Sequence, residues 1–178
     1  YVPARYRMWQ NVKIKYPDKS LPWKLAFFLA SSVIRLPQKG VFYRYLRRVL
    51  FLSKRYSSES QLAASPPTAD LYLVGSDQVW NSVYNGLEDG SYLLSFAPKG
   101  ALRASYAASI GRDDVPDEDM ARFRRELPSF SGVSVRENRP AEIVEGLGVP
   151  CRQDLDPVFL LKDDEWRGLA SGKGIGER

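Results

Sequence analysis

The sequence predicts an α/β fold in which a Rossmann-like parallel sheet is flanked by helices. Three observations predict it: short apolar runs that end in turn residues, amphipathic segments between those runs, and a composition suited to a soluble core. Hydrophobic residues make up 44% of the 178 residues and charged residues 26%. That balance excludes collagen-like, low-complexity and mostly disordered chains.

Four short apolar runs are the predicted strands, and they cover residues 70–75, 103–108, 132–136 and 151–155. Helices are predicted between and after them. One opens at Pro116, with acidic residues in its first turn where the helix dipole favours them. A second has Pro140 in its first turn, and a last helix is capped by Asp163. Strands that alternate with helices in this way indicate a parallel sheet.

The first 56 residues differ from the rest in charge, since they hold thirteen Lys or Arg and the single acid Asp18. The remainder holds thirteen basic and twenty acidic residues. Helical spacing predicts one helix over residues 20–36 and another over 41–53, because Pro37 and Gly40 interrupt the pattern.

The basic front segment has two interpretations. It could bind nucleic acid, or it could be a solvated face near an anionic membrane surface or substrate. The second is favoured, because runs of basic residues are usually plain surface. We therefore expect no nucleic-acid partner, and we expect peripheral membrane contact as one further partner of the segment.

The chain has no histidine and only one cysteine, Cys151. A Ser-His-Asp triad, a Cys-His pair, a His-ligated metal and an intramolecular disulfide are therefore excluded for this chain alone. We expect no metal site. The apolar run over residues 25–34 is shorter than the ~20 residues of a membrane span, and the start lacks a signal-peptide pattern. A cytoplasmic protein is expected, with the inner face of the membrane as one place of action.

Ligands of open parallel sheets bind beyond the carboxyl ends of the strands. After the first strand come candidate residues for sugar hydroxyls and rings: Gly75, Ser76, Asp77, Gln78, Trp80 and Asn81. Asp77 could accept a proton, and Gln78 and Asn81 offer paired donors and acceptors. Alternatively, Asp77 forms a turn with its own backbone and Trp80 is a core residue. The residue types leave both interpretations open.

The next strands end in further candidates, Ser109, Gly111, Arg136 and Glu137. Arg136 suits an anion, because a guanidinium can bind a carboxylate or phosphate through two hydrogen bonds. The alternative is an ion pair with Glu137 or another acid. Asp156, which precedes a proline, is expected to form a structural turn.

Four segments in order closely resemble the signature of polysaccharide pyruvyl transferases: DLYLVGSDQVWN (70–81), SYAASIG (105–111), SVRE (134–137) and LDPVFLL (155–161). Glu165 and Trp166 also fit. The resemblance implies the amino-terminal half of a GT-B-type two-domain fold, with a basic insertion-like segment (1–56) and a partial Rossmann-like domain (57–178). It implies that the carboxyl-terminal half, with a catalytic histidine, is missing here, so this fragment alone is expected to be inactive.

The resemblance also implies transfer of the pyruvyl group of phosphoenolpyruvate to a sugar of an exopolysaccharide or cell-wall precursor, with formation of a ketal. The partners would be phosphoenolpyruvate, as co-substrate without any other cofactor, and a sugar or lipid-linked saccharide. Asp77 is the candidate catalytic residue, and the other strand-end residues are candidates for substrate binding. A non-catalytic sugar-binding member and a GT-B-type glycosyltransferase are the alternatives.

Overall fold

The computed structural model describes residues 8–85 and 90–169. The chain divides into two compact units. The first unit comprises residues 1–72 and 82–101, and the second comprises residues 73–81 and 102–178. Strand β1 (Leu71–Gly75) begins in the first unit and ends in the second.

Apart from the first two residues of β1, the regular secondary structure in the described part of the first unit is helical. Its helices are α1 (Met8–Lys15), α2 (Leu21–Val49), α3 (Glu59–Ala64) and α4 (Ser82–Asn85), followed by a 3-10 turn over Gly90–Leu93. The second unit alternates strands and helices. After the end of β1 come β2 (Leu102–Tyr106), α5 (Asp117–Glu126), β3 (Val133–Val135), α6 (Asn138–Gly146), β4 (Cys151–Gln153) and α7 (Asp163–Leu169).

The described structure confirms an α/β fold, but its strands form two small sheets of two strands each, joined by isolated bridges, instead of the single Rossmann-like sheet that was predicted. Strand β1 pairs with β2, and β3 pairs with β4 in parallel, with Val133 opposite Cys151. Two isolated parallel bridges, Ala104 to Gly132 and Ala108 to Val135, join the chain around β2 to the chain around β3. The four predicted strands and the three predicted helices that follow β2 are all present.

The connection between the chain around β2 and the chain around β3 contains an irregular step, which we call the bulge. The first bridge joins residues 28 positions apart and the second joins residues 27 apart, so the stretch from Ala104 to Ala108, which begins in β2 and continues past its end, carries one extra residue. Ala107 takes up the extra residue with a φ of 46°. A bulge of this kind interrupts regular pairing and leaves backbone groups that need other partners.

Two buried serine hydroxyls supply those partners. Ser105 Oγ accepts from Ser134 N and donates to Ser134 O, both at 3.0 Å. Ser134 Oγ accepts from Ala107 N at 3.0 Å. Backbone pairing resumes beyond the bulge, where Arg136 N donates to Ala108 O. The two side chains thus maintain hydrogen bonding between the two stretches of chain across the irregular step.

The core of the second unit surrounds β3, whose three residues are all buried. Helix α5 contributes Phe123 and α6 contributes Ile143 and Val144 to this core. Helix α5 also has three acids in its first turn and two arginines in its last, as the helix dipole favours. A strand buried on both faces is typical of the middle of an α/β sheet.

The prediction of two helices in the front segment is wrong, because α2 is one helix that runs through Pro37 and Gly40. A proline inside a helix removes one backbone hydrogen bond. Ending the helix and starting another would require a second costly nucleus, so one long helix is the alternative that the chain adopts.

Helix α1 and Tyr16, the residue directly after it, pack on the first part of α2 through aromatic rings. Trp9 meets Phe28 edge-on with ring centroids 5.4 Å apart, and Tyr16 meets Trp23 at 5.2 Å. Several other large apolar side chains of α2 are exposed, among them Leu29 and Phe42. Within residues 8–85 and 90–169, none of the helices combines the length and apolarity that crossing a membrane requires.

We predict that Ser134→Ala lowers the free energy of unfolding by about 1–3 kcal/mol, because the buried Ala107 N–H loses its acceptor. Urea denaturation followed by circular dichroism measures the loss. Ser129→Ala is the control, since the Ser129 hydroxyl bonds a backbone carbonyl at an exposed site and its removal should cost less than 0.5 kcal/mol. Equal losses in the two variants would contradict the bridging role of Ser134.

Candidate functional site

Backbone hydrogen bonds place the ends of β1, β2 and β3 side by side. Ser109 N donates to Asp77 O at 2.9 Å, and Trp80 N donates to Ser109 O at 3.1 Å. Arg136 N donates to Ala108 O at 3.1 Å. The residues that follow these three strands therefore lie together at one edge of the second unit. We call Ser76, Asp77, Arg136, Glu137 and Asp156 the strand-tip cluster.

Asp77 is an exposed carboxylate on a constrained backbone. Its φ is 67°, in the left-handed region that aspartate tolerates better than most residues. Its carbonyl accepts from both Val79 N and Ser109 N, which fixes this conformation. The structure thus presents a carboxylate to solvent directly after β1, where it could bind a hydroxyl or accept its proton.

Gly75 is required by close packing. Its φ is 128°, and an added Cβ would overlap the carbonyl oxygen of Tyr106, in the strand beside it. The peptide bond from Gly75 to Ser76 is cis. Only glycine lets the end of β1 approach the bulged strand this closely.

Arg136 is held between two carboxylates. Its Nε donates to Glu137 Oε1 and its Nη1 donates to Asp156 Oδ2, both at 3.0 Å. These hydrogen bonds, with Glu137 the larger influence, raise the pKa of the guanidinium above its ordinary value. The alternative prediction of an ion pair with Glu137 or another acid is confirmed. The prediction that Arg136 binds a substrate anion stays untested.

Asp156 joins the turn after β4 to the strand-tip cluster. Its Oδ1 accepts from Val158 N, which caps the 3-10 turn Pro157–Leu160 as predicted for a structural turn. The Val158 amide first, then Arg136 and more weakly the Ser76 hydroxyl, lower the pKa of this carboxyl. Sequence reasoning missed this link, because Ser76, Arg136 and Asp156 follow different strands and no local pattern relates them.

The charge of the strand-tip cluster limits what it can bind unaided. One guanidinium is paired with two carboxylates, so Arg136 is more than neutralised by Glu137 and Asp156. An approaching phosphate or carboxylate would meet net negative charge there. Neutral hydroxyl groups suit this edge better than anions do.

Gln78, Asn81 and Gly111 form a second, packed group. Asn81 is buried and its amide donates to Gln78 Oε1 at 2.9 Å. Gly111 has a φ of 65°, and a Cβ there would overlap the Gln78 side chain. The three predicted substrate-binding residues therefore do lie together, and Gly111 leaves the space that Gln78 occupies.

Two other candidates are buried. Trp80 is only 4% exposed and its ring lies against Phe123 and Phe130. Aromatic packing thus makes it a core residue, the alternative interpretation, and its ring is not presented to a sugar. Ser109 is fully buried, and in the described structure its Oγ lacks a hydrogen-bond partner, as does Glu137 Oε2. Buried polar atoms of this kind are rare in folded proteins.

A thiol nucleophile is disfavoured in this unit. Burial, reinforced by the nearby Glu145 and Asp154, raises the pKa of Cys151 to about 11. The thiolate is therefore scarce near neutral pH. As for metals, the described residues include no group of three or more cysteines and acids placed to hold an ion.

The family model for polysaccharide pyruvyl transferase matches residues 6–177, nearly the whole chain. The chain belongs to this family. No curated protein and no solved structure matches it significantly, so the GT-B-type arrangement stays an expectation. In this pyruvyl transferase family member the match includes the basic helices of the first unit as well as the strand-tip cluster of the second.

We predict that Gly75→Ala costs about 3 kcal/mol or more of stability, since it combines a backbone collision with a strained positive φ. Thermal unfolding measures the effect. Gly132→Ala is the matched control, because a Cβ at Gly132 meets nothing within 4 Å. A Gly75→Ala protein as stable as the control would show that the close contact with Tyr106 is wrong.

A second prediction concerns pH. The lowered pKa of Asp156 means that its charge stabilises the fold above the unfolded-state value of about 3.9 and that this contribution is lost as pH falls through the folded-state pKa. Asp156→Asn retains an acceptor for Val158 N but removes the charge. The variant should therefore be less stable than the wild type near pH 7, and the difference should shrink below about pH 4.

Urea denaturation at a series of pH values between about 2 and 7 measures this difference. Asp70→Asn is the control, because in the described part of the chain no arginine or backbone amide donates to the exposed Asp70. A stability difference for Asp156→Asn that stays constant over the whole pH range would contradict the charge pairing.

Proposed function

We propose that this protein transfers the pyruvyl group of phosphoenolpyruvate to a saccharide acceptor in the synthesis of an exopolysaccharide or cell-wall polymer. One observation carries the proposal, the family match over residues 6–177. The strand-tip cluster supports it, because it presents polar groups suited to sugar hydroxyls where α/β sheets bind ligands.

The reaction has simple chemical demands. Protonation of the methylene carbon C3 of phosphoenolpyruvate makes the neighbouring C2 electrophilic. One sugar hydroxyl then attacks C2 and loses its proton to a base. The C2–O bond to phosphate then breaks, and phosphate leaves with the electron pair. A second sugar hydroxyl adds to the resulting oxocarbenium carbon and loses its proton to a base, which closes the ketal. An acid, a base and cations for the carboxylate and phosphate are needed.

Asp77 is the proposed base for the acceptor hydroxyl. It is exposed, fixed by two hydrogen bonds to its carbonyl and placed at the carboxyl end of β1. A carboxylate can accept a proton from a hydroxyl that becomes acidic as it attacks an electrophilic carbon. Gln78 and Asn81 are proposed to support the acceptor side of the site.

Arg136 is proposed to act mainly as a positioning residue and only secondarily as a ligand for an anion. Its Nε and Nη1 groups bond Glu137 and Asp156, whereas its Nη2 group makes no hydrogen bond in the described part of the chain. Because the two carboxylates outweigh its charge, binding the phosphate of phosphoenolpyruvate requires cations in addition to Arg136. We propose that groups beyond the strand-tip cluster supply them.

The test is incubation of the full-length protein with phosphoenolpyruvate and a panel of nucleotide-linked and lipid-linked saccharides. Phosphate release and a mass gain of one pyruvyl ketal on an acceptor are expected. Asp77→Asn should lower kcat by about 100-fold or more, because asparagine tolerates the same positive φ but is a poor base. Asp164→Asn, a change of an exposed carboxylate in α7, is the control and should leave kcat unchanged.

Three outcomes separate the alternatives. Release of phosphate that depends on acceptor supports the transferase. Consumption of a nucleotide sugar without phosphoenolpyruvate would indicate a glycosyltransferase instead. Saccharide binding with neither reaction would indicate a non-catalytic member, and an unchanged kcat in Asp77→Asn would remove Asp77 as the base.

A further inference from the structure

A groove of about 820 Å³ lies in the first unit, where the end of α2 meets the chain that follows it. Its lining combines apolar and basic side chains, chiefly Leu46, Leu50, Leu52, Arg47, Lys54 and Arg55. We call it the basic groove. It belongs to a different unit from the strand-tip cluster, so the proposed reaction does not account for it.

The cations of the basic groove are not neutralised by acids. Residues 1–56 contain a single acid, Asp18, and in the described part of the chain no salt bridge involves a lysine or arginine of residues 8–56. Lys54 is held in place by a 2.7 Å bond to Ser65 Oγ and by the ring of Tyr56. An ammonium group bonded once has donors left for a further acceptor.

The dipole of α2 explains only part of this charge. Arg47 lies in the last turn of α2, where a cation is favoured by the negative end of the helix. Lys54 and Arg55 lie beyond the helix and are exposed. Arg47, Lys54 and Arg55 thus bring three cations to one groove, a charge that an anionic ligand would match.

Large apolar side chains are exposed beside these cations. Leu50 and Leu52 are about half exposed, and Phe51 between them is fully exposed. Phe42 and Tyr45 on the last part of α2 are also exposed. Apolar surface next to unpaired cations is typical of segments that lie in the boundary between lipid headgroups and acyl chains.

We propose that the basic groove docks the protein on an anionic membrane surface, with Arg47, Lys54 and Arg55 on lipid phosphates and Leu50, Phe51 and Leu52 in the acyl boundary. Charge complementarity and the exposed apolar run both fit this occupant. Nucleic acid fits less well, because it would engage the cations and the exposed rings but would leave Leu50 and Leu52 without an apolar environment.

The experiment is co-sedimentation of the chain with vesicles of phosphatidylcholine alone and with roughly one-third phosphatidylglycerol added. Binding is expected only to the anionic vesicles. The triple variant Arg47→Gln, Lys54→Gln, Arg55→Gln should bind on the order of 100-fold more weakly, since each cation near such a surface contributes roughly fivefold.

A matched control removes the same charge elsewhere. Arg139→Gln, Arg152→Gln and Arg167→Gln together also lower the net charge by three, but these arginines sit in exposed ion pairs of the second unit. This control should keep nearly all of its vesicle binding. Equal weakening in both triple variants would mean that net charge alone governs binding, and the proposal would be overturned.

A charge-neutral variant tests the apolar contribution. Leu50→Ser with Leu52→Ser should weaken binding to anionic vesicles by roughly tenfold or more, because burial of two leucines is lost. Unchanged binding in this variant, equal binding to neutral vesicles, or binding to duplex DNA in place of vesicles would each overturn the proposal.

Discussion

The candidate site depends on two serine hydroxyls that replace a missing stretch of backbone pairing. At the extra residue directly after β2, Ser105 and Ser134 bond each other's strands through their side chains. Beyond that step the ladder resumes with Arg136 N on Ala108 O, and the tips of three strands come into line. Buried hydroxyls that are hydrogen-bonded make such an irregular step specific, whereas unbonded ones would make it costly.

The electrostatics of the site follow from the same alignment. Once Arg136 is next to the end of β4, its guanidinium reaches Asp156 as well as its neighbour Glu137. The result is a hydrogen-bonded cluster with more carboxylate than cation. The proposed donor carries a phosphate and a carboxylate whereas the proposed acceptor offers neutral hydroxyls, and the charge of this edge suits the acceptor.

The strand positions and the grouping of polar residues at the strand tips could be predicted from sequence, because period, turn residues and parallel topology are local or generic signals. The bulge could not, since Ser105 and Ser134 act on each other across 29 positions of sequence. The burial of Trp80 and the pairing of Arg136 depend on tertiary neighbours, so residue type left both interpretations open. Helix α2 continues through Pro37. A proline lowers the stability of a helix, but it does not by itself determine where the helix ends.

The extra residue directly after β2 bears on the balance between the stability and the function of this protein. A strand without it would pair regularly with β3 and would need neither an alanine at positive φ nor two buried hydroxyls. Irregularities that a simpler sheet would avoid persist mainly where they orient functional groups. Engineering for thermal stability should therefore not change residues 105–109. Removing the extra residue would make the strand pairing regular and more stable, but it would also reorient the residues at the edge where chemistry is proposed to occur.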